Sequence, residues 1–252
     1  MTTAIIQARM GSSRLPGKVY KDIVGRPLLA HVVERVRAAE TLDVVVVATT
    51  VEPGDDPIEA LCTELGVRCE RGSEADVLDR YYRAAEATGA ATVVRITADC
   101  PLIDPDVIDR VVMSFQNSDC DYVSNTHHRT YPDGLDTEAF SFAALERAWR
   151  EADLASEREH VTPYIWKRND IFRIRHVTQT KDLSSLRWTV DEPEDLDFVR
   201  WVYERLYTAG HVFRMDDVLA LVAAEPALAA VNAGFVLNEG YQRSVAQDWK
   251  ID

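Results

Sequence analysis

Ala4–Lys18, AIIQARMGSSRLPGK, is the stretch on which the fold turns. Its first five residues form a short apolar run of the kind that makes a buried strand. Arg9–Lys18 is crowded with turn formers and reads as a loop. Pro27 then stands where a first helical turn begins, and Leu28, Leu29, Val32, Val33 and Val36 recur at helical spacing. Strand, loop and helix in that order open a parallel sheet, and such sheets bind ligands beyond the carboxyl ends of their strands.

The unit repeats outward from there. Asp43–Thr49 is a β-branched strand, Pro57–Leu65 a helix ended by Gly66, and Val67–Glu70 a short strand. Ser73 is placed to cap a helix from Glu74 to Thr88, stopped by Gly89. Thr92–Thr97 is another strand, Pro105–Gln116 a helix and Asp121–Ser124 a strand. After Asn125 the texture becomes polar and turn-rich. Helices are expected from Ser141 to Ala152 and after a Ser156/Glu159 capping box. Strands are expected at Ile171–Val177 and Leu186–Val190, a helix from Pro193 to Tyr207, and Ala-rich helices with a polar tail in the last forty residues. The pattern predicts an α/β fold: an open, mostly parallel sheet with helices on both faces. Residues 126–180 are expected as a small inserted lobe of this single domain.

Composition narrows the function. The 252 residues carry 42 acids and 28 bases, a formal charge of −14, and 46% are hydrophobic. That balance suits a folded globular chain and disfavours general binding to a nucleic-acid backbone. The longest apolar run, Val218–Ala224, is far short of a membrane span, and the N-terminus lacks the charge and apolar pattern of a signal peptide. Four cysteines without CxxC or zinc spacing fit a reduced, cytoplasmic protein.

The charge is distributed unevenly. Through residue 21 there are four bases (Arg9, Arg14, Lys18 and Lys21) and no acid. Gly11 and Gly17 let the backbone approach a ligand, while Ser12 and Ser13 add hydroxyl and amide donors. Arg9, Arg14 and Lys18 can face several phosphate oxygens at once, which suits a triphosphate. The alternative is a solvated patch around an ordinary turn. The loop is neither a Walker sequence nor GxGxxG, so a dinucleotide cofactor has no support. Asp99, directly after the strand TVVRIT, and Asp191, after LRWTV, fit one crevice opposite the basic loop. Hard cations such as Mg2+ take carboxylate oxygens. The competing readings are a turn aspartate for Asp99 and a helix N-cap for Asp191.

AIIQARMGSSRLPGKVYKDIVGRPLL resembles the N-terminal signature of the sugar cytidylyltransferases. That superfamily includes the CMP-Kdo, CMP-sialate and CMP-pseudaminate synthetases and the spore-coat polysaccharide (SpsF-like) proteins. The resemblance continues through RGSEADVLDRYYRAA (71–85), RITADCPLIDP (95–105), GLDTEAF (134–140), EREHVTPYI (157–165) and LRWTVDEPEDLDFV (186–199), and lies nearest the SpsF-like branch. It implies CTP as substrate, its phosphates held by Arg9, Arg14 and Lys18, with Ala8, Gly11, Ser12 and Ser13 beside the nucleotide. It further implies magnesium on Asp99 and Asp191. It places Arg71 and Ser73 against the base. The sequence departs from the CMP-Kdo pattern in having Cys100 where those enzymes carry a second acid.

The acceptor is expected in the second half, where His127, His128, Arg129, Arg158 and His160 accompany the candidates Asp136, Glu138 and Arg187. A guanidinium there could hold the carboxylate of a small acidic sugar. The aromatic content of this half suggests a dimer surface, and a homodimer is implied by the resemblance. Two rival readings remain. Asp119-Cys120-Asp121 spells DxD, which would suit a glycosyltransferase using a finished nucleotide sugar. A non-catalytic nucleotide-binding subunit would bind CTP without releasing pyrophosphate.

Overall fold

Alternation along the first strands already divides the core. The computed structural model describes residues 1–229, 231–232 and 239–251. In β1 (Thr2–Gln7), Ala4 and Ile6 point to one hydrophobic cluster and Ile5 to the other. Successive strand residues face opposite sides of a sheet, so a run of apolar residues buries both faces.

A small hairpin, β2 (Asp22–Ile23) and β3 (Arg26–Pro27), precedes α1 (Leu28–Arg37). Then follow β4 (Val44–Thr50), α2 (Asp56–Glu64), β5 (Arg68–Gly72), α3 (Val77–Thr88), β6 (Thr92–Thr97) and α4 (Pro105–Gln116). The second half contributes β7 (Tyr122–Ser124), β8 (Glu138–Ser141), α5 (Phe142–Glu151), α6 (Ala155–His160), α7 (Pro163–Trp166) and β9 (Ile174–His176). It ends with α8 (Pro193–Leu206), α9 (Met215–Ala224), α10 (Pro226–Ala229) and α11 (Glu239–Ala246). The main sheet has the order β5-β4-β1-β6-β8-β7-β9, and only β8 runs antiparallel to its neighbours. One cluster gathers α1, α2, α4 and α8, the other α3, α5 and α7, so helices cover both faces as expected.

The segment 126–180 does not lie apart from the sheet. It supplies β8, which bonds β6 in register from Arg95↔Glu138 to Thr92↔Ser141, and the edge strand β9. Three of its aromatics, Tyr131, Phe140 and Tyr164, are buried in the core, while Phe142, Trp149 and Trp166 stay half-buried.

Several local devices differ from expectation. Helix α3 begins at Val77 with Asp76 as its cap, accepting from the Asp79 N–H at 2.9 Å, while Ser73 bonds the Asp76 N–H one turn earlier. The Ser156/Glu159 box is absent, because the Ser156 hydroxyl is engaged by Asp248 at 2.6 Å. Leu186–Val190 forms no regular strand. Its Trp188 and Val190 N–H groups bond the carbonyls of Asp133 and Asp99 instead of a ladder. Part of the Ala-rich C-terminal stretch, 230 and 233–238, lies outside the described residues.

Candidate active site

The loop after β1 is fixed by its own chain before any ligand is considered. Leu15 is buried, Met10 N–H donates to Asp55 at 2.6 Å, and Gly17 N–H donates to the Met10 carbonyl at 3.0 Å. Gly17 has φ 68°, the left-handed region where a Cβ is strained. This closure sends Lys18 across the carboxyl edge of the sheet. Its Nζ lies 2.8 Å from Asp99 Oδ2, 2.7 Å from Asp191 Oδ1 and 2.9 Å from the Val190 carbonyl. Arg14 reaches Asp191 at 3.1 Å and Glu192 at 3.4 Å. Arg9 stands more exposed, 3.6 Å from Glu74.

Capping of α8 does not occupy Asp191. Glu192 is the N-cap, and Asp195 accepts the N–H groups of Asp191 and Glu192 at 2.9 Å each. The Asp191 side chain is thereby left to meet Lys18. Burial would raise the Asp99 carboxyl, but the ammonium of Lys18 and the Thr97 hydroxyl hold it down at about 2. For Lys18, burial opposes the charge and the two carboxylates outweigh it, so its pKa is raised. Next to Asp99, the Cys100 thiol is pushed up by burial and by that carboxylate, and stays neutral.

Two cavities meet at this cluster. One, of about 550 Å³, is lined by Ala8, Arg9, Gly11, Ser12, Ser13, Arg14 and Lys18, and by Arg80 from α3. The other, of about 560 Å³, is lined by Arg95, His127, Arg129, Asp133, Asp136, Glu138, Thr162, Trp166 and Arg187. Arg14, Thr97, Asp99, His160 and Asp191 belong to both. Two cavities sharing one charged junction suit a transfer between two bound molecules.

The structure therefore gathers the residues expected at the phosphates and metal, and divides the rest. Arg71 and Ser73 line neither cavity. The Arg71 guanidinium is held by Asp56 and Glu59, both at 2.8 Å, and by the Thr50 and Glu52 carbonyls. One residue that sequence reading missed is Arg80. It is 3% exposed, and its Nε and one terminal nitrogen have no hydrogen-bond partner among the described residues. Burial lowers its pKa. A buried, unpartnered guanidinium beside a cavity is costly unless a ligand completes it. Gly72 makes room for it, since a Cβ there would lie 2.8 Å from Arg80 Cγ. An arginine on the buried face formed by Val77, Tyr81 and Ala84 was the available signal.

Asp136, Glu138 and Arg187 all line the second cavity, but each is already engaged. Arg129 grips Asp136 with two bonds, 2.8 and 2.7 Å. Glu138 is buried and bonded to Arg95, Tyr122 and Thr162. Arg187 grips the fully buried Asp195 at 2.8 and 2.9 Å. Beside them, burial and the Asp136 charge hold the Asp133 carboxyl up at about 7.

Asp99 and Asp191 fit a hard divalent cation, because one oxygen of each converges on a single positively charged atom. No group of three His, Cys, Asp or Glu side chains suited to a metal occurs among the described residues. Two carboxylates with phosphate and water completing the sphere is how magnesium is commonly bound. The DxD pair lies elsewhere. Asp121 stands at the amino end of β7 and is tied to Arg173 at 2.8 Å through its backbone N–H.

A parallel sheet with a basic loop and two carboxylates at its carboxyl edge is the frame of a nucleotidyltransferase. A cytidylyltransferase from Leptospira borgpetersenii has the same fold: TM-score 0.87 and 31% identity, over 93% of this chain and 98% of that one. The chain belongs to the cytidylyltransferase family, whose model matches residues 3–209. The spore coat polysaccharide biosynthesis protein SpsF of Bacillus subtilis is 34% identical over 210 residues, 80% of this chain and 85% of that protein. A 3-deoxy-manno-octulosonate cytidylyltransferase of Anaeromyxobacter dehalogenans is 42% identical over 111 residues, 43% of this chain and 44% of its own length.

Proposed function

We propose that this protein transfers CMP from CTP to a hydroxyl of a small acidic sugar of the 2-keto-3-deoxy type, releasing pyrophosphate, for surface polysaccharide synthesis. The observation that carries this reading is the Lys18 ammonium bridging Asp99 and Asp191 at the junction of two cavities. The acceptor oxygen forms a bond to the α-phosphorus. The bond from that phosphorus to the β-phosphate oxygen breaks, and the hydroxyl proton is lost. Magnesium held by Asp99 and Asp191 would neutralise triphosphate charge and polarise its oxygens. Arg9, Arg14 and Lys18 take the phosphates, an electrostatic role that grows as charge moves to the leaving pyrophosphate.

In this reading Arg80, rather than Arg71, donates to the base, its free N–H groups matching the acceptor edge of cytosine. Arg129 receives the sugar carboxylate by exchanging Asp136, whereas Arg187 keeps Asp195 and shapes the cavity wall. Asp133, held near neutrality, is the group suited to take the hydroxyl proton. The octulosonate-specific name of one relative supports an acidic acceptor. A cytoplasmic location and a homodimer belong to the same proposal.

The test is pyrophosphate release from each of four nucleoside triphosphates with magnesium, against a panel of sugar acids. Turnover with CTP and a sugar acid is expected, and chelation of magnesium should abolish it. Turnover with GTP alone would refute the cytosine assignment. CTP binding without pyrophosphate from any acceptor would favour the non-catalytic reading.

A further inference from the structure

The C-terminal segment lies beyond the stretch 3–209 that the family model matches, yet it returns to the nucleotide cavity. Helix α11 packs on α6, and the Ser244 hydroxyl sits 2.9 Å from Glu159 and 3.0 Å from His160. Residues 248–251 then run along 153–156. Ala155 N–H donates to the Trp249 carbonyl at 2.9 Å and Ile251 N–H to the Asp153 carbonyl at 2.7 Å. Asp248 accepts from Ser156 N–H at 2.9 Å and from its hydroxyl at 2.6 Å, while Lys250 pairs with Asp153 at 2.6 Å.

These bonds pin the backbone of a residue whose side chain is left largely in water. Trp249 is 64% exposed and lines the cavity that holds Arg9, Arg14, Lys18 and Arg80. A fixed, exposed indole is an informative exception to apolar burial. A flat aromatic face at a cavity for a nucleotide offers what a nucleobase needs once its phosphates are held, since every base has a π-face to stack. Ala75 and Val77 add small apolar surface to the same cavity.

We propose that Trp249 stacks on the nucleobase of the bound nucleoside triphosphate, so that the C-terminal segment completes the nucleotide site. The proposal rests on the reading of this cavity as the CTP site. Isothermal titration of the full chain with CTP, and with inorganic tripolyphosphate, would test it in wild type, Trp249→Ala and Trp249→Phe. Trp249→Ala should weaken CTP about tenfold, Trp249→Phe should restore most of the loss, and tripolyphosphate affinity should not move. Unchanged CTP affinity in Trp249→Ala, with or without a change in oligomeric mass, would overturn the proposal. Equal weakening of CTP and tripolyphosphate would also overturn it, by reducing Trp249 to a structural support. Wild type that binds tripolyphosphate but gains nothing from the nucleoside in CTP would refute base stacking alone. Wild type that binds neither would refute the reading of the cavity itself.

Discussion

Lys18 concentrates the chemistry of the site in one atom. Its ammonium answers two carboxylates from distant parts of the chain, one of them 173 residues away. Replacing it leaves Asp99 and Asp191 facing each other without the intervening charge and, in the proposed reading, removes a donor from the phosphates. Lys18→Ala should lower kcat/KM for CTP by ~10²-fold or more, whereas Asp121→Ala should stay within about threefold, in a pyrophosphate-release assay. The reverse pattern, read as nucleotide release from a nucleotide sugar, would restore the glycosyltransferase reading. At this scale the sequence was legible where residue type and local order suffice. The bases of Arg9–Lys18 sit on one loop, and that loop leaves a strand end. Arg71 and Arg80 could not be told apart in the same way. Both lie near the end of β5, and only the packing of α3 shows that Arg71 turns to Asp56 and Glu59 while Arg80 faces the cavity.

Elements follow from periodicity and caps, and their errors come from caps with more than one customer. Ser73, Asp76 and Ser156 all have capping chemistry, but Asp76 takes α3 and Ser156 is claimed by Asp248 across the fold. Asp76 also pairs with Arg158, which ties α3 to α6. The stretch 186–190 shows a different limit. It has the composition of a strand, yet it packs against the turn at Gly134, where φ is 110° and a Cβ would lie 2.5 Å from the Trp188 carbonyl carbon. Gly134→Ala should therefore destabilise the protein by at least about 2 kcal/mol, read as a lower urea midpoint, because neither backbone can yield cheaply. The same turn carries Asp133 and Asp136, so the variant should also weaken acceptor binding. No such penalty is expected at Gly54, which has open space around its Cβ position.

At the scale of the whole molecule, pH acts through imidazoles that desolvation keeps neutral. Burial lowers the pKa of His31, and desolvation lowers those of the half-buried His160 and His176 and of the more exposed His127, with His160 pushed down to about 4. An unfolded chain takes up protons on these rings as pH falls below about 6.5, while the folded protein does not until lower pH. Stability should fall as pH drops from about 6.5 toward 4, seen as a lower urea midpoint at pH 5 than at pH 7. Asp133 opposes this, since its raised carboxyl favours the folded state more as pH falls below about 7, but it is one group against four. The Asp99 contribution is lost only lower still, between its ordinary range and about 2.

What the sequence by itself determined was local: the apolar alternation that divides the core into two faces, the parallel strand-loop-helix order, and the charged loop at the strand end. These depend on neighbours a few residues apart, and burial of apolar side chains enforces them wherever they occur. Only the tertiary structure decided which carboxylate each arginine takes, that 126–180 completes the main sheet, that Arg80 lines the cavity beside the basic loop, and that Trp249 returns to it. Those are choices among partners far apart in the chain. Charge and hydrogen-bonding capacity make many pairings possible, and packing selects one.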